Sequence, residues 1–182
     1  MTRIATPNSI ETSPETAQPL LQAVKKQLGI VPNMFRMVAN SPAALEGYLG
    51  LNGALAKGSL EAPTRERIAL AVAEINGCDY CLSAHSYLGK HIGKLSDAEM
   101  AANRSGGSTD PRAEAAVRFA VKLVETRGHV DDAAIQAVKQ AGYTEAQIVE
   151  IVLHVALNTL TNYVNVVAET EIDFPVVRAA AA

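Results

Sequence analysis

Aromatic residues are scarce in this chain. They make up 4% of its 182 residues, and tryptophan is absent. A core without large rings must be filled by Ala, Leu, Ile and Val, which suits close packing of helices. Excess charge of one sign is also missing. The net charge is −3, which gives no reason to expect nucleic acid or an anionic membrane surface as a partner. No continuous apolar run approaches the roughly 20 residues of a membrane helix. The opening stretch "MTRIATPNSIETSPETAQP" lacks the apolar core of a secretory signal. These absences point to a cytoplasmic protein. Cysteine occurs only twice, as Cys78 and Cys81. In a reducing compartment a close pair of thiols points to metal binding or redox chemistry rather than to a structural crosslink.

What is present is an apolar fraction of 48% with 19% charged residues, enough for a substantial core in one domain or two small halves. Residues 1–14 read as a loose leader. Helical spacing follows over 14–29, ending in Gly29, a favoured C-cap. A short connecting element covers 30–40. Ser41-Pro42 is an N-cap followed by Pro at the first helical position, opening a helix over 41–58. Over 63–76, Ile68, Leu70, Ala71, Val72 and Ile75 surround the helix, so it is expected to be central and buried. Asn76-Gly77 is a stop signal. Further helices are expected over about 78–92, 95–103 (capped by Ser96), 112–127, 131–141 and 144–170. The loop 104–111 divides a first half containing both cysteines, about 41–103, from a second helical half, about 112–175. No alternating strand or hairpin signal appears. The class is all-α, with about seven to nine helices.

A weak internal echo crosses that divide. Sliding 144–165 onto 64–85 aligns Thr144 with Thr64, Ile148 with Ile68 and Val152 with Val72. It sets Asn158, Thr161 and Asn165 against Cys78, Cys81 and His85. Two pseudo-repeated halves and two merely similar core helices both remain open. Asn158, Asn162 and Asn165 stripe one face of the last helix as buried hydrogen-bonding residues or an interface seam, with Tyr163 among them.

The chemistry concentrates in "EINGCDYCLSAH", residues 74–85. Positions 78, 81 and 85 share one helical face. The cysteines fall at a helix start, where unpaired N–H groups and the positive dipole end stabilise a thiolate. His85, one turn on, supplies a base or an ion-pair partner. An activated thiol, a second thiol and a base suffice to reduce a peroxide: one sulfur becomes a sulfenic acid and the other condenses with it. Glu66 and Glu74 are the upstream carboxylates. If the chain reverses at Gly77, a rise of 1.5 Å per residue places Glu66 roughly 16 Å and His85 roughly 12 Å from the turn, nearly level on adjacent helices. Glu74 lies nearer the cysteines in height, and a solvated or capping role suits it better. Glu66 also sits near a helix start, where acids are favoured in any case.

The stretch "RERIALAVAEINGCDYCLSAH" resembles the core of the AhpD-like alkylhydroperoxidase branch of the carboxymuconolactone decarboxylase family. The family pattern, a Glu ahead of Cys-x-x-Cys-x-x-x-His, is matched by Glu66, Cys78, Cys81 and His85. "GIVPNMFRMVANSPAALEGYLGL", "SYLGKHIG" and "NVVAETEIDFP" are similar to its peroxidase-related members, so the likeness spans about 20–175. The resemblance implies an AhpD-like helical fold and an antioxidant peroxidase acting on organic hydroperoxides. It implies that Cys81 attacks, Cys78 resolves, His85 activates Cys81 and Glu66 relays protons. It also implies a homo-oligomer, trimer or hexamer, with a dithiol reductant such as a lipoamide-bearing protein and a peroxiredoxin as a further partner. No cofactor or metal is implied. Asp79 and Tyr80 stand between the cysteines, where the best-known alkylhydroperoxidase has a His that helps the relay. Other readings are a lactone decarboxylase-like lyase, which uses acid/base groups without a redox pair, and a redox-sensing or structural CxxC protein. A zinc clamp would need Cys78, Cys81, His85 and a distant ligand such as His91 or His154. His91 beside Lys90 reads as surface, and His154 as a satisfied core histidine.

Overall fold

The computed structural model describes residues 2–180. Among them the order is a short 3-10 turn, Glu15–Ala17, then nine helices: α1 Gln18–Leu28, α2 Asn33–Val38, α3 Pro42–Leu55, α4 Ala62–Ile75, α5 Asp79–His91, α6 Asp97–Arg104, α7 Pro111–Glu125, α8 Asp132–Gln140 and α9 Glu145–Ala168. No strand occurs among the described residues. The fold is all-α.

Local chemistry sets the helix ends. Ser41, Ser96, Asp110 and Asp131 each accept a backbone N–H at the start of α3, α6, α7 and α8. Thr144 and Gln147 form a reciprocal capping box on α9, satisfying N–H groups that a helix start leaves open. Gly29 closes α1 at φ +80°. Gly77, at φ +63°, makes the left-handed turn that reverses the chain between α4 and α5, a conformation that strongly favours glycine.

Helix α4 is the hub. Ile68, Ala69, Leu70, Ala71, Val72 and Ala73 are all buried in sequence, as befits a helix enclosed on every side. It packs against α5, α6, α7 and α9. Leu70 and Ala73 join a cluster with Leu21, Leu45 and Leu82. Ile68 and Val72 join another with Phe119, Val138 and Ile151. Ile75, expected inside, is 41% exposed, because it lies where the helix runs out toward the turn. The echo between α4 and α9 is uneven in burial: Ile68 and Ile148 are both inside, but Val72 is buried and Val152 is 41% exposed.

The chain ends are tied to this body. Ile10 and Ser13 are buried, and Arg3 donates its N–H to Ala168 O at 2.8 Å. Beyond α9 a non-helical strap, residues 169–180, runs back over the start of α5. Helix α9 itself is long and apolar enough, by length and average composition, to cross a bilayer, but half of the qualifying stretch is buried in the fold. Polar residues interrupt it, so no continuous apolar run had marked it. Its outer face leaves Val149, Val152, Leu153, Leu160, Tyr163, Val166 and Val167 exposed.

Candidate functional site

Cys78 is the N-cap of α5 rather than its first helical residue, with an extended backbone at φ −93°, ψ 92°. That conformation swings its sulfur back over the helix start, where Sγ accepts the Cys81 N–H at 3.3 Å. The two sulfurs lie 2.6 Å apart, with the Cys78 S–H donating to Cys81 Sγ. Both thiols are free and buried. Asn165 Nδ2 on α9 also donates to Cys81 Sγ, at 3.4 Å. Asn162 is held nearby by Asn76, whose Nδ2 donates to its Oδ1 at 2.9 Å.

These contacts divide the work between the thiols. The Cys78 S–H hydrogen bond lowers the Cys81 pKa to about 7 against the opposing effect of burial, helped by the charge of His85 and by Asn162 and Asn165. Cys78 moves the other way. Its hydrogen bond to Cys81, followed by burial, pushes it far up. Ionisation is thus favoured at Cys81 and the proton at Cys78.

The reversal at Gly77 brings α4 and α5 alongside each other, and His85 Nδ1 meets Glu66 Oε2 at 2.9 Å. Both side chains are partly buried, 23% and 19% exposed. Burial alone lowers His85, and the Glu66 carboxylate more than reverses it, so the imidazole pKa is raised. Glu74 is occupied elsewhere. It takes the Arg104 guanidinium at 2.6 Å and the Ala180 N–H at 2.6 Å.

Cys81, His85 and Glu66 line a cavity of about 480 Å³, walled by Phe35, Tyr48, Leu88, Leu157 and Phe174 among others. Burial first, then the charges of Cys81 and Glu66, push the Tyr48 hydroxyl up, so it stays a neutral donor. His154 lines the same cavity. The satisfied core histidine expected at this position is not found: His154 is 5% exposed and its Nε2 has no hydrogen-bond partner. Burial, then the Arg65 cation, lowers its pKa to about 4, leaving a neutral imidazole in the cavity wall.

The residues between the cysteines hold the strap. Asp79 takes the Ala179 N–H at 2.9 Å and Arg178 Nη1 at 2.7 Å. Tyr80 donates its hydroxyl to Asp173 at 2.9 Å and accepts the Met34 N–H at 3.1 Å. The sequence offered no local signal for this, since the partners lie about a hundred residues away. The asparagine stripe was visible: Asn158, Asn162 and Asn165 are all buried, while Tyr163, placed with them by sequence, is 60% exposed on the outer face. Helical phase separates it, since it follows Asn162 by a rotation of about 100°. His91 is exposed and stacks on Tyr87, ring centroids 4.4 Å apart. Among the described residues no group of three or more His, Cys, Asp or Glu side chains is placed to hold a metal ion, so the cluster that a zinc clamp requires does not form there.

The geometry has counterparts. Residues 42–122 match the model of the carboxymuconolactone decarboxylase family. The fold is similar to a peroxidase-related protein with an alkylhydroperoxidase AhpD core from Ralstonia eutropha JMP134, at TM-score 0.83 and 24% identity, covering 93% of this chain and 92% of that one. It is similar to a peroxidase-related protein from Silicibacter sp. TM1040, at 0.79 and 22%, covering 94% of each. It is also similar to the debrominase Bmp8, at 0.78 and 20%, covering 95% of this chain and 94% of that one. At these identities the likeness is one of fold. An uncharacterized protein of Haemophilus influenzae is 42% identical over 64 residues, 35% of this chain, so the match spans about half (51%) of that protein's own length.

Proposed function

We propose that this chain, whose residues 42–122 match the model of the carboxymuconolactone decarboxylase family, is a thiol-dependent peroxidase of the AhpD-like type, reducing organic hydroperoxides through Cys81 and Cys78. The observation that carries the reading is the contact of the two free thiols at 2.6 Å, with Cys81 facing a cavity that the His85–Glu66 pair also lines.

The Cys81 thiolate attacks the terminal peroxide oxygen. The O–O bond breaks, the alkoxide takes a proton from His85 and leaves as the alcohol, and Cys81 becomes a sulfenic acid. Cys78 then attacks that sulfur. Its own proton goes to the departing hydroxide, which leaves as water, and the Cys78–Cys81 disulfide forms. A dithiol returns two electrons and restores both thiols. Glu66 holds the imidazole by Nδ1 and favours its protonated form. A cavity of about 480 Å³ with mostly apolar walls suits an organic hydroperoxide better than hydrogen peroxide. A reducing, cytoplasmic setting and a dithiol carrier, such as a lipoamide-bearing protein, belong to the same proposal. So does a homo-oligomer, supported by Val149, Val152, Leu153, Leu160 and Tyr163, which α9 leaves exposed, since clustered exposed apolar side chains mark interaction sites.

Steady-state turnover of cumene hydroperoxide with dihydrolipoamide tests the reading. Cys81→Ser and Cys78→Ser are each expected to abolish it. Turnover surviving the double substitution would overturn it and favour acid/base chemistry.

A further inference from the structure

The two sulfurs touch, yet they line different cavities. Cys81 lines the apolar cavity described above and Cys78 does not. Cys78 lines a second cavity of about 540 Å³, and Cys81 does not. The second one has another character: Asn165, Thr170, Val166, Arg3 and Arg178 line it with Cys78. Asn165 and Thr170 are 2% and 6% exposed, and Asn165 Oδ1 and Thr170 Oγ1 have no hydrogen-bond partner. Buried polar atoms are normally satisfied, so two orphaned oxygens on residues that line this cavity mark a place suited to a polar visitor. The mouth is spanned by the ion pairs Arg3–Glu169 and Arg178–Asp79, both at 2.7 Å, whose arginine side chains are 67% and 72% exposed. Exposed pairs of this kind are weak enough to part.

Displacement at sulfur is in-line: the nucleophile must approach opposite the bond that breaks. A thiol attacking Cys78 in the disulfide must therefore come from the side away from Cys81, and the second cavity is the one that Cys78 lines without Cys81. We propose, building on the peroxidase reading, that this polar cavity is the entry for the dithiol reductant, which attacks Cys78 Sγ, while hydroperoxide reaches Cys81 from the apolar cavity. One thiolate of the dithiol bonds to Cys78, and the Cys78–Cys81 bond breaks. Cys81 departs as the thiolate, a form that the Asn165 amide, donating to its Sγ, and the His85 charge favour. The dithiol's second sulfur, as thiolate, then attacks its partner sulfur. It releases Cys78, which takes up a proton, and the reductant leaves as its own disulfide. The orphaned Asn165 and Thr170 oxygens are the acceptors for the S–H of the dithiol's second sulfur while the first attacks.

Two half-reactions separate the entries in the full-length protein. Oxidation is followed with cumene hydroperoxide by quenched thiol counts. Reduction is followed by adding dihydrolipoamide to protein first oxidised with one equivalent of diamide. Val166→Trp fills the mouth of the polar cavity from a position already 45% exposed, and is expected to slow reduction at least tenfold while leaving oxidation within twofold. Val166→Lys, a smaller obstruction, should slow reduction less and in the same sense. Leu88→Trp, in the wall of the apolar cavity, should do the opposite. Reduction untouched in both Val166 variants, or slowed instead by Leu88→Trp, would overturn the proposal. If cumene hydroperoxide does not oxidise the unaltered protein, the peroxidase reading fails, and the diamide-oxidised protein still decides which cavity admits the dithiol.

Discussion

Glu66→Gln isolates the charge beside His85. The amide oxygen can still accept from Nδ1 at the present 2.9 Å spacing, so geometry is kept and only the negative charge is lost. A carboxylate this close to a cation raises the partner's pKa, and it does so for His85 against the opposing effect of burial. The two side chains are 23% and 19% exposed, so water screens part of the effect. Without the charge His85 holds its proton less firmly. Cys81 loses part of the positive charge that favours its thiolate, and the departing alkoxide loses its proton donor. The rate of hydroperoxide-driven thiol loss should fall about 10- to 100-fold at pH 7, with the alkaline rise of the pH–rate profile moved upward. Stopped-flow thiol counting from pH 5 to 9 measures both quantities, and circular dichroism confirms the fold. A variant that stays within twofold of the unaltered protein across that range would refute a role for the Glu66 charge.

Further outcomes follow from three groups outside the thiol pair. Glu99 is almost fully enclosed with Arg67, at 2.7 Å, and also accepts from Asn103, Ser108 and Thr109; Glu99→Ala strands the Arg67 charge and should cost about 3–5 kcal/mol in urea unfolding. Burial raises the Glu99 pKa and those hydrogen bonds outweigh it, lowering it to about 2, so its contribution is present above the unfolded value of 4.5 and should fade as pH drops toward 2. His154 is depressed to about 4 from 6.5; the unfolded chain binds more protons between those values, so stability should rise with pH across that window and stay level above it. His154→Leu should remove that slope and, by deleting an unpartnered buried nitrogen, stabilise the fold by about 1–2 kcal/mol. Asp79→Ala removes two anchors of the strap, and amide exchange over 177–180 should quicken while α4 stays protected.

What the sequence disclosed was local or periodic. Helix caps at Ser41 and Ser96 announced their helices, and the rise per residue, with a reversal at Gly77, set Glu66 level with His85. The stripe of Asn158, Asn162 and Asn165 declared a buried polar seam, though not that Asn165 reaches Cys81. What stayed hidden depends on distant partners. Asp79 and Tyr80 looked like a gap in a catalytic pattern, and only the returning strap shows what they hold. His154 read as an ordinary core histidine because no periodicity reveals whether a buried nitrogen finds a partner. Tyr163 and Ile75 were assigned inward from neighbours and composition, and helical phase and the end of α4 set them outside.

The most direct measurement is the intact mass and free-thiol count of the protein before and after one equivalent of cumene hydroperoxide. The account predicts loss of both thiols with a decrease of two hydrogen masses, reversed by dihydrolipoamide, and a single crosslinked peptide joining Cys78 to Cys81. Two thiols that stay free, with the hydroperoxide unconsumed, would contradict it.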